Sequence, residues 1–281
     1  MSIKIIVMDI DGTLNVMGKG ILPKTKEVLM KAQKQGIKLI LASGRPTAGM
    51  IEFGKELEMD KNGGLLISYN GSKVIDMETM NEIYNMPMSI EDGKAVLEHM
   101  KKFKVYPMIE KEDYIYVNDV FNCMLEFNGK EINILKHESR NGKYKICEKD
   151  DLADFVDYSL NKILVAGNSD YLQANYKAMM KPFENHLSCM FTASVYFEFT
   201  AKDIDKATAL EAVLKSMEID AGEVISFGDG HNDISLIKYA GIGVAMGNAV
   251  EELKDIADEV TLSNEENGIA ECLLKHIDEL L

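Results

Sequence analysis

Two stretches of this chain alternate short apolar runs with amphipathic helical patterns, and the long stretch between them does not. At the amino-terminal end the runs are "KIIVMDI", "IKLILAS" and "GLLISYNG". They are separated by "TKEVLMKAQKQG" and "RPTAGMIEFGKELE", where apolar residues recur at helical spacing. Pro23 precedes the first helix, Gly36 ends it, and Pro46 fits the first turn of the second. Apolar runs without a polar face read as strands buried on both sides, and strands joined through helices lie parallel. The alternation returns after residue 205. "KATALEAVLKSM", "NDISLIKYA" and "ENGIAECLLKHIDELL" read as helices, and "EVISFGDG", "GIGVAM" and "EVTL" as strands. The expectation is an α/β fold whose Rossmann-like parallel-sheet core is built from both ends of the chain.

The middle reads differently. "SKVIDMETMNEIY" predicts two short strands around a polar turn. Beyond it come helices near Ser89–Lys102, Lys149–Tyr158 and Asp170–Met180. Strands are expected at Val105–Ile109, at Tyr114–Val117, in "KILVAG", and once or twice in "CMFTASVYFEFTA". This block reads as an inserted α+β domain over 85–188, with the core formed by 1–84 and 189–281. A length of 281 residues fits two domains, because single cores stop growing near this size. There is no internal repeat and no low-complexity tract.

The net charge is −15 and the pI about 4.8. That excess argues against nucleic acid and anionic membranes as partners, and it obliges an anionic substrate to find local positive charge. Four scattered cysteines with no Cys-x-x-Cys pair read as reduced thiols. No signal peptide is read at the amino terminus and no apolar run approaches the ~20 residues of a membrane span, so a cytoplasmic location is expected.

In parallel α/β sheets, sites form beyond the carboxyl ends of the strands. Those ends carry Asp9, Asp11, Ser43, Asn70, Asp229, Asn232 and Asp233, and Lys206 opens a helix in the same half. Two close carboxylates at a buried strand end repel unless a cation sits there or one is protonated. Oxygen ligands without a Cys or His cluster favour Mg²⁺ over Zn²⁺. The Gly12–Thr13 amides form a candidate anion-binding turn, with the Ser43 hydroxyl and the Lys206 charge beside it. That combination suits phosphoryl transfer. One aspartate attacks phosphorus, and the other gives a proton to the leaving alkoxide and takes one from water. His231 reads as a packing or contact residue, since carboxylates fill both proton-transfer roles. Asn248 reads as a turn residue.

"DIDGT", "ASGRP", Lys206 and "GDGHND" resemble the four motifs of the haloacid dehalogenase superfamily of phosphatases. "YNG" and "AMGNA" resemble its Cof-type branch, with a large C2-type (subfamily IIB) α/β cap inserted after the third core strand. The resemblance runs through the whole chain in order. It implies Asp9 as nucleophile and metal ligand, and Asp11 as general acid/base with its carbonyl on the metal. Asp229 would be a ligand, and Asp233 a ligand or its support. Gly12, Thr13, Ser43, Gly44, Arg45, Asn70, Lys206 and Asn232 would hold phosphate or substrate. Where the family often has glycine after the lysine, this chain has Ala207.

The function this implies is a Mg²⁺-dependent phosphomonoester hydrolase acting on a small phosphorylated metabolite. Sugar phosphates come first, with pyridoxal phosphate and flavin mononucleotide behind. The alternatives left open are a hexose phosphomutase and a non-enzymatic phosphoaspartate or sugar-phosphate-responsive regulator. Neither the substrate nor the oligomeric state follows from the sequence.

Overall fold

The computed structural model describes residues 3–127 and 129–277 of the 281. The chain divides into two compact units, Met1–Asn85 with Asp205–Leu281, and Met86–Ile204.

The first unit holds an eight-stranded sheet. Its spatial order is Glu259–Val260, Ile242–Ala245, Val224–Gly228, Ile5–Met8, Lys38–Ala42, Leu65–Ser68, Lys73–Asp76, Glu82–Asn85. The first six strands run parallel, and each of the last two pairs antiparallel with the strand before it. The strand Ile5–Met8 is fully buried because each face serves a different core. Ile6 and Met8 join Leu39 and Leu41 in one cluster, while Ile5 and Val7 join Ile40 and Ala42 in the other. Strand side chains alternate between faces, so an apolar run without polar gaps is what a doubly covered strand requires. Met8 stands opposite Leu41 on one side and Phe227 on the other. That register brings the residues following three strands to one edge.

The helix Lys206–Met217 covers the second core with Ala209, Leu210, Val213 and Leu214, a spacing that keeps one face inward. Asp205 caps it, its carboxylate accepting from the Thr208 amide at 2.8 Å.

The second unit has a six-stranded sheet in the order Lys145–Glu148, Tyr114–Val117, Tyr106–Lys111, Ile163–Ala166, Tyr196–Ala201, Leu187–Ala193. The helices Ile90–Met100, Leu152–Phe155 and Ser169–Met180 pack on the face that carries Ile109, Ile163, Val165, Phe197 and Phe199.

Several expectations need correction. The boundary expected at 188/189 falls inside the strand Leu187–Ala193. That strand forms a hairpin with Tyr196–Ala201, which pairs in turn with Ile163–Ala166 of the inserted sheet, so the junction lies at 204/205. The helix expected near Lys149–Tyr158 is one short turn, Leu152–Phe155. "RPTAGMIEFGKELE" gives a 3₁₀ turn, Thr47–Gly49, and then Ile51–Glu56. Hairpins at Asn15–Val16/Gly20–Ile21 and Met124–Phe127/Lys130–Asn133, the helix Ile134–Gly142 and the strand Lys145–Glu148 were not expected. The last helix is Gly268–His276; its expected continuation over 278–281 lies outside the described residues.

Candidate active site

Asp9 directly follows the strand Ile5–Met8, and its amide still bonds to the Phe227 carbonyl at 3.0 Å. Its side chain is buried beside Lys206, the first residue of its helix, which is 0% exposed. Lys206 Nζ donates to Asp9 Oδ1 and to Asp233 Oδ1, both at 2.6 Å. A buried ammonium is tolerated only when paired in this way. Asp233 also accepts the Asp229 and Gly230 amides on Oδ2, each at 3.0 Å. Asp229 follows the strand Val224–Gly228, and its Oδ1 accepts from the Thr13 hydroxyl at 2.6 Å.

Two buried carboxylates thus share one ammonium, with the partly buried Asp229 beside them. Burial pushes Asp9 up to about 7, with Lys206 opposing and Asp233 adding. Burial likewise pushes Asp229 up to about 6, against the Thr13 hydrogen bond. For Lys206, burial works against the charge, yet Asp233 and Asp9 outweigh it and hold the ammonium above its ordinary value. One carboxylate oxygen from each of Asp9, Asp229 and Asp233 lies within 4.8 Å of the other two. An oxygen-only donor set with a negative surplus fits a hard divalent cation.

Gly12 is held at φ +87°, and a Cβ there would stand 2.2 Å from Asp229 Oδ2. Only glycine permits both the turn and the approach. Gly71, at φ +106°, lies equally close to the start of the lysine's helix, where a Cβ would meet the Asp205 carbonyl at 2.0 Å.

The other sequence-expected residues gather at the same sheet edge in different arrangements. Asp11 stands apart from Asp9, Asp229 and Asp233. It is half-exposed and takes a two-pronged bond from Arg45, Nε to Oδ2 at 2.5 Å and Nη2 to Oδ1 at 2.6 Å. Ser43 is buried, and its oxygen accepts the Arg45 amide at 3.2 Å. Asn232 Nδ2 donates to Asn70 Oδ1 at 3.0 Å, and Gly44 lies against that same Asn70 amide, 3.0 Å from where its Cβ would be. The Thr13 amide is spent inside its turn on the Ile10 carbonyl, at 3.4 Å. His231 is largely exposed, 3.8 Å from Glu252.

Three contacts escaped the sequence reading. The Asp11–Arg45 pair could have been sought in two opposite charges at the ends of adjacent strands. Thr13 to Asp229 crosses 216 positions and had no local signal. Asn248 donates to the Gly12 carbonyl at 2.8 Å and accepts the Asn264 amide at 3.0 Å, so it clips the glycine turn rather than merely making one of its own.

The family model of the haloacid dehalogenase-like hydrolases matches residues 6–273. A solved haloacid dehalogenase-like hydrolase from Bacteroides thetaiotaomicron is 32% identical, with a TM-score of 0.90 over 98% of this chain and 100% of that one. A 5-amino-6-(5-phospho-D-ribitylamino)uracil phosphatase of Bacillus subtilis is 27% identical over 96% of this chain and 94% of its own length. A pyridoxal phosphate phosphatase of Escherichia coli is 24% identical over 99% of this chain and all of its own.

Proposed function

Because the chain belongs to the haloacid dehalogenase-like hydrolase family and is an enzyme of that family, we propose that it is a Mg²⁺-dependent phosphomonoesterase with Asp9 as nucleophile. The observation that carries this reading is the buried Asp9–Lys206–Asp233 chain beside Asp229 at one sheet edge. Lys206 fixes one oxygen of Asp9 and with it the rotamer. It also supplies the positive charge that an anionic ester must find on a chain of net charge −15.

Asp9 attacks phosphorus, and the ester P–O bond breaks as an aspartyl-phosphate forms. Asp11 gives its proton to the departing alkoxide, then takes one from the water that attacks phosphorus. The bond to Asp9 breaks, and inorganic phosphate and the free carboxylate return. Asp11 must first leave Arg45, so Arg45 sets when it is available. Ser43 has its oxygen turned to the Arg45 amide, which leaves its O–H to donate to a phosphoryl oxygen. Asn70 and Asn232 brace one another beside that place.

Asp9 and Asp229 would hold Mg²⁺, with the Asp11 carbonyl, while Asp233 supports them. Asp233 fits that second role because both its oxygens are already engaged by Lys206 and two amides. The cation neutralises the repulsion between Asp9 and the incoming dianion. The substrate class is a small phosphorylated metabolite, sugar phosphates first, with pyridoxal phosphate and flavin mononucleotide behind; the two named relatives act on a phosphoribityl compound and on pyridoxal phosphate. The inserted unit is proposed as the cap that selects among them.

The test is phosphate release from a panel of sugar phosphates, pyridoxal phosphate, flavin mononucleotide and nucleotides, with Mg²⁺ and with EDTA. Mg²⁺-dependent release that Asp9→Asn abolishes is expected. Folded, Mg²⁺-binding protein that releases nothing from the panel contradicts the reading.

A further inference from the structure

A second cluster of ligating side chains lies in the first unit, with no group of the catalytic site in it. Glu259 stands on the edge strand Glu259–Val260, and Cys272 and His276 stand on the helix Gly268–His276. One ligand atom from each of the three lies within 4.8 Å of the other two. Cys272 and His276 are four apart, so they share one helix face. His276 Nε2 is 2.7 Å from Glu259 Oε2, and Lys275 Nζ reaches the other oxygen at 3.1 Å. Cys272 is fully buried beneath this pair.

An ordinary helix-to-strand ion pair needs only the imidazole and the carboxylate. The thiol adds a soft donor, and Cys/His/carboxylate is a borderline-metal donor set, unlike the oxygen-only set around Asp9. The charges also balance. A thiolate and a carboxylate neutralise a dication, with the imidazole neutral. The site closes the last turn of the helix, where the backbone dipole favours positive charge.

We propose that Glu259, Cys272 and His276 form a site for a thiophilic divalent cation such as zinc, which clips the carboxyl-terminal helix to the sheet edge. Binding forms bonds from the metal to sulfur, nitrogen and oxygen and releases the thiol proton to water. A water completes four-coordination. Lys275 swings away from Glu259; its side chain is mostly exposed already. The two sites then sort cations by softness, Mg²⁺ to Asp9 and Asp229, zinc to Cys272.

The test is titration of the metal-free full chain with Co²⁺, followed by Zn²⁺. A thiolate-bound Co²⁺ gives a near-ultraviolet charge-transfer band, which the cysteine-free catalytic site cannot produce. A saturable band is expected, one Co²⁺ per chain, bleached by Zn²⁺ and absent from Cys272→Ser. His276→Ala, at a partly exposed position, is expected to weaken binding by about tenfold or more while leaving Mg²⁺-dependent phosphate release unchanged. It keeps the test open should Cys272→Ser fail to fold. No band, a band that survives Cys272→Ser, or affinity unmoved by His276→Ala overturns the proposal. None of these outcomes bears on the phosphatase reading, which is read by phosphate release.

Discussion

Asp9 carries a charge that the fold itself does not favour. Its carboxyl is raised from 3.8 to about 7, and that of Asp229 to about 6, burial being the largest cause in both. The sign follows. Between the unfolded and folded values the unfolded chain has lost the proton and the folded one still holds it, so stability falls as pH rises. Metal-free protein is therefore expected to lose stability from about pH 4 to pH 7. Asp9→Asn removes its share of that loss, on the order of 1–4 kcal/mol at about 1.4 kcal/mol per unit. Denaturant melts of both proteins at several pH values, without metal, check this; equal slopes contradict it. Gly12→Ala is expected to strain the turn and drive Asp229 from its place, costing about 1–3 kcal/mol and most of the Mg²⁺-dependent activity. Stability and phosphate release measured together on that variant test both halves.

Among elements, the helix Lys206–Met217 matters most, because its first residue is the buried lysine. Asp205→Ala removes the cap and is expected to cost about 1 kcal/mol and to lower kcat more than it raises KM, with Asn at the same position restoring both. A KM change alone would sever the cap from the positioning of Lys206. The sequence made the doubly buried strands and this helix legible, since uninterrupted apolar runs and helical apolar spacing are local signals. It did not show the hairpin Asn15–Val16/Gly20–Ile21, whose strands are two residues each. Nor did it assign Leu187–Ala193 to the correct sheet, because pairing is set by partners far along the chain. The site divides the same way. Acidic residues at strand ends were legible from topology. The turn of Asp11 toward Arg45 and of Thr13 toward Asp229 belongs to tertiary packing.

At the scale of the molecule, each unit owns its core: two clusters flank the eight-stranded sheet, and a third, rich in Phe183, Phe197 and Phe199, serves the second unit. Among the described residues no helix is long and apolar enough to cross a membrane. Metal held at Asp9 and Asp229, as proposed, would stabilise the unit that holds it. Hydrogen exchange is expected to show Mg²⁺ protecting the strands Ile5–Met8 and Val224–Gly228 and leaving Tyr196–Ala201 unmoved. Phe197→Ala, at a fully buried site, is expected to cost the second unit about 3–5 kcal/mol. Its effect should be read in the exchange of Tyr196–Ala201.

The central claim is that Asp9 carries the phosphoryl group and Asp11 is needed to release it. Acid-quenched turnover with a ³²P-labelled aryl phosphomonoester, whose leaving group departs without a proton from Asp11, followed by peptide mapping, tests it most directly. Label on the peptide containing Asp9, accumulating in Asp11→Asn and absent from Asp9→Asn, is the result expected. Phosphate release with no covalent label in Asp11→Asn, or label on another residue, contradicts it.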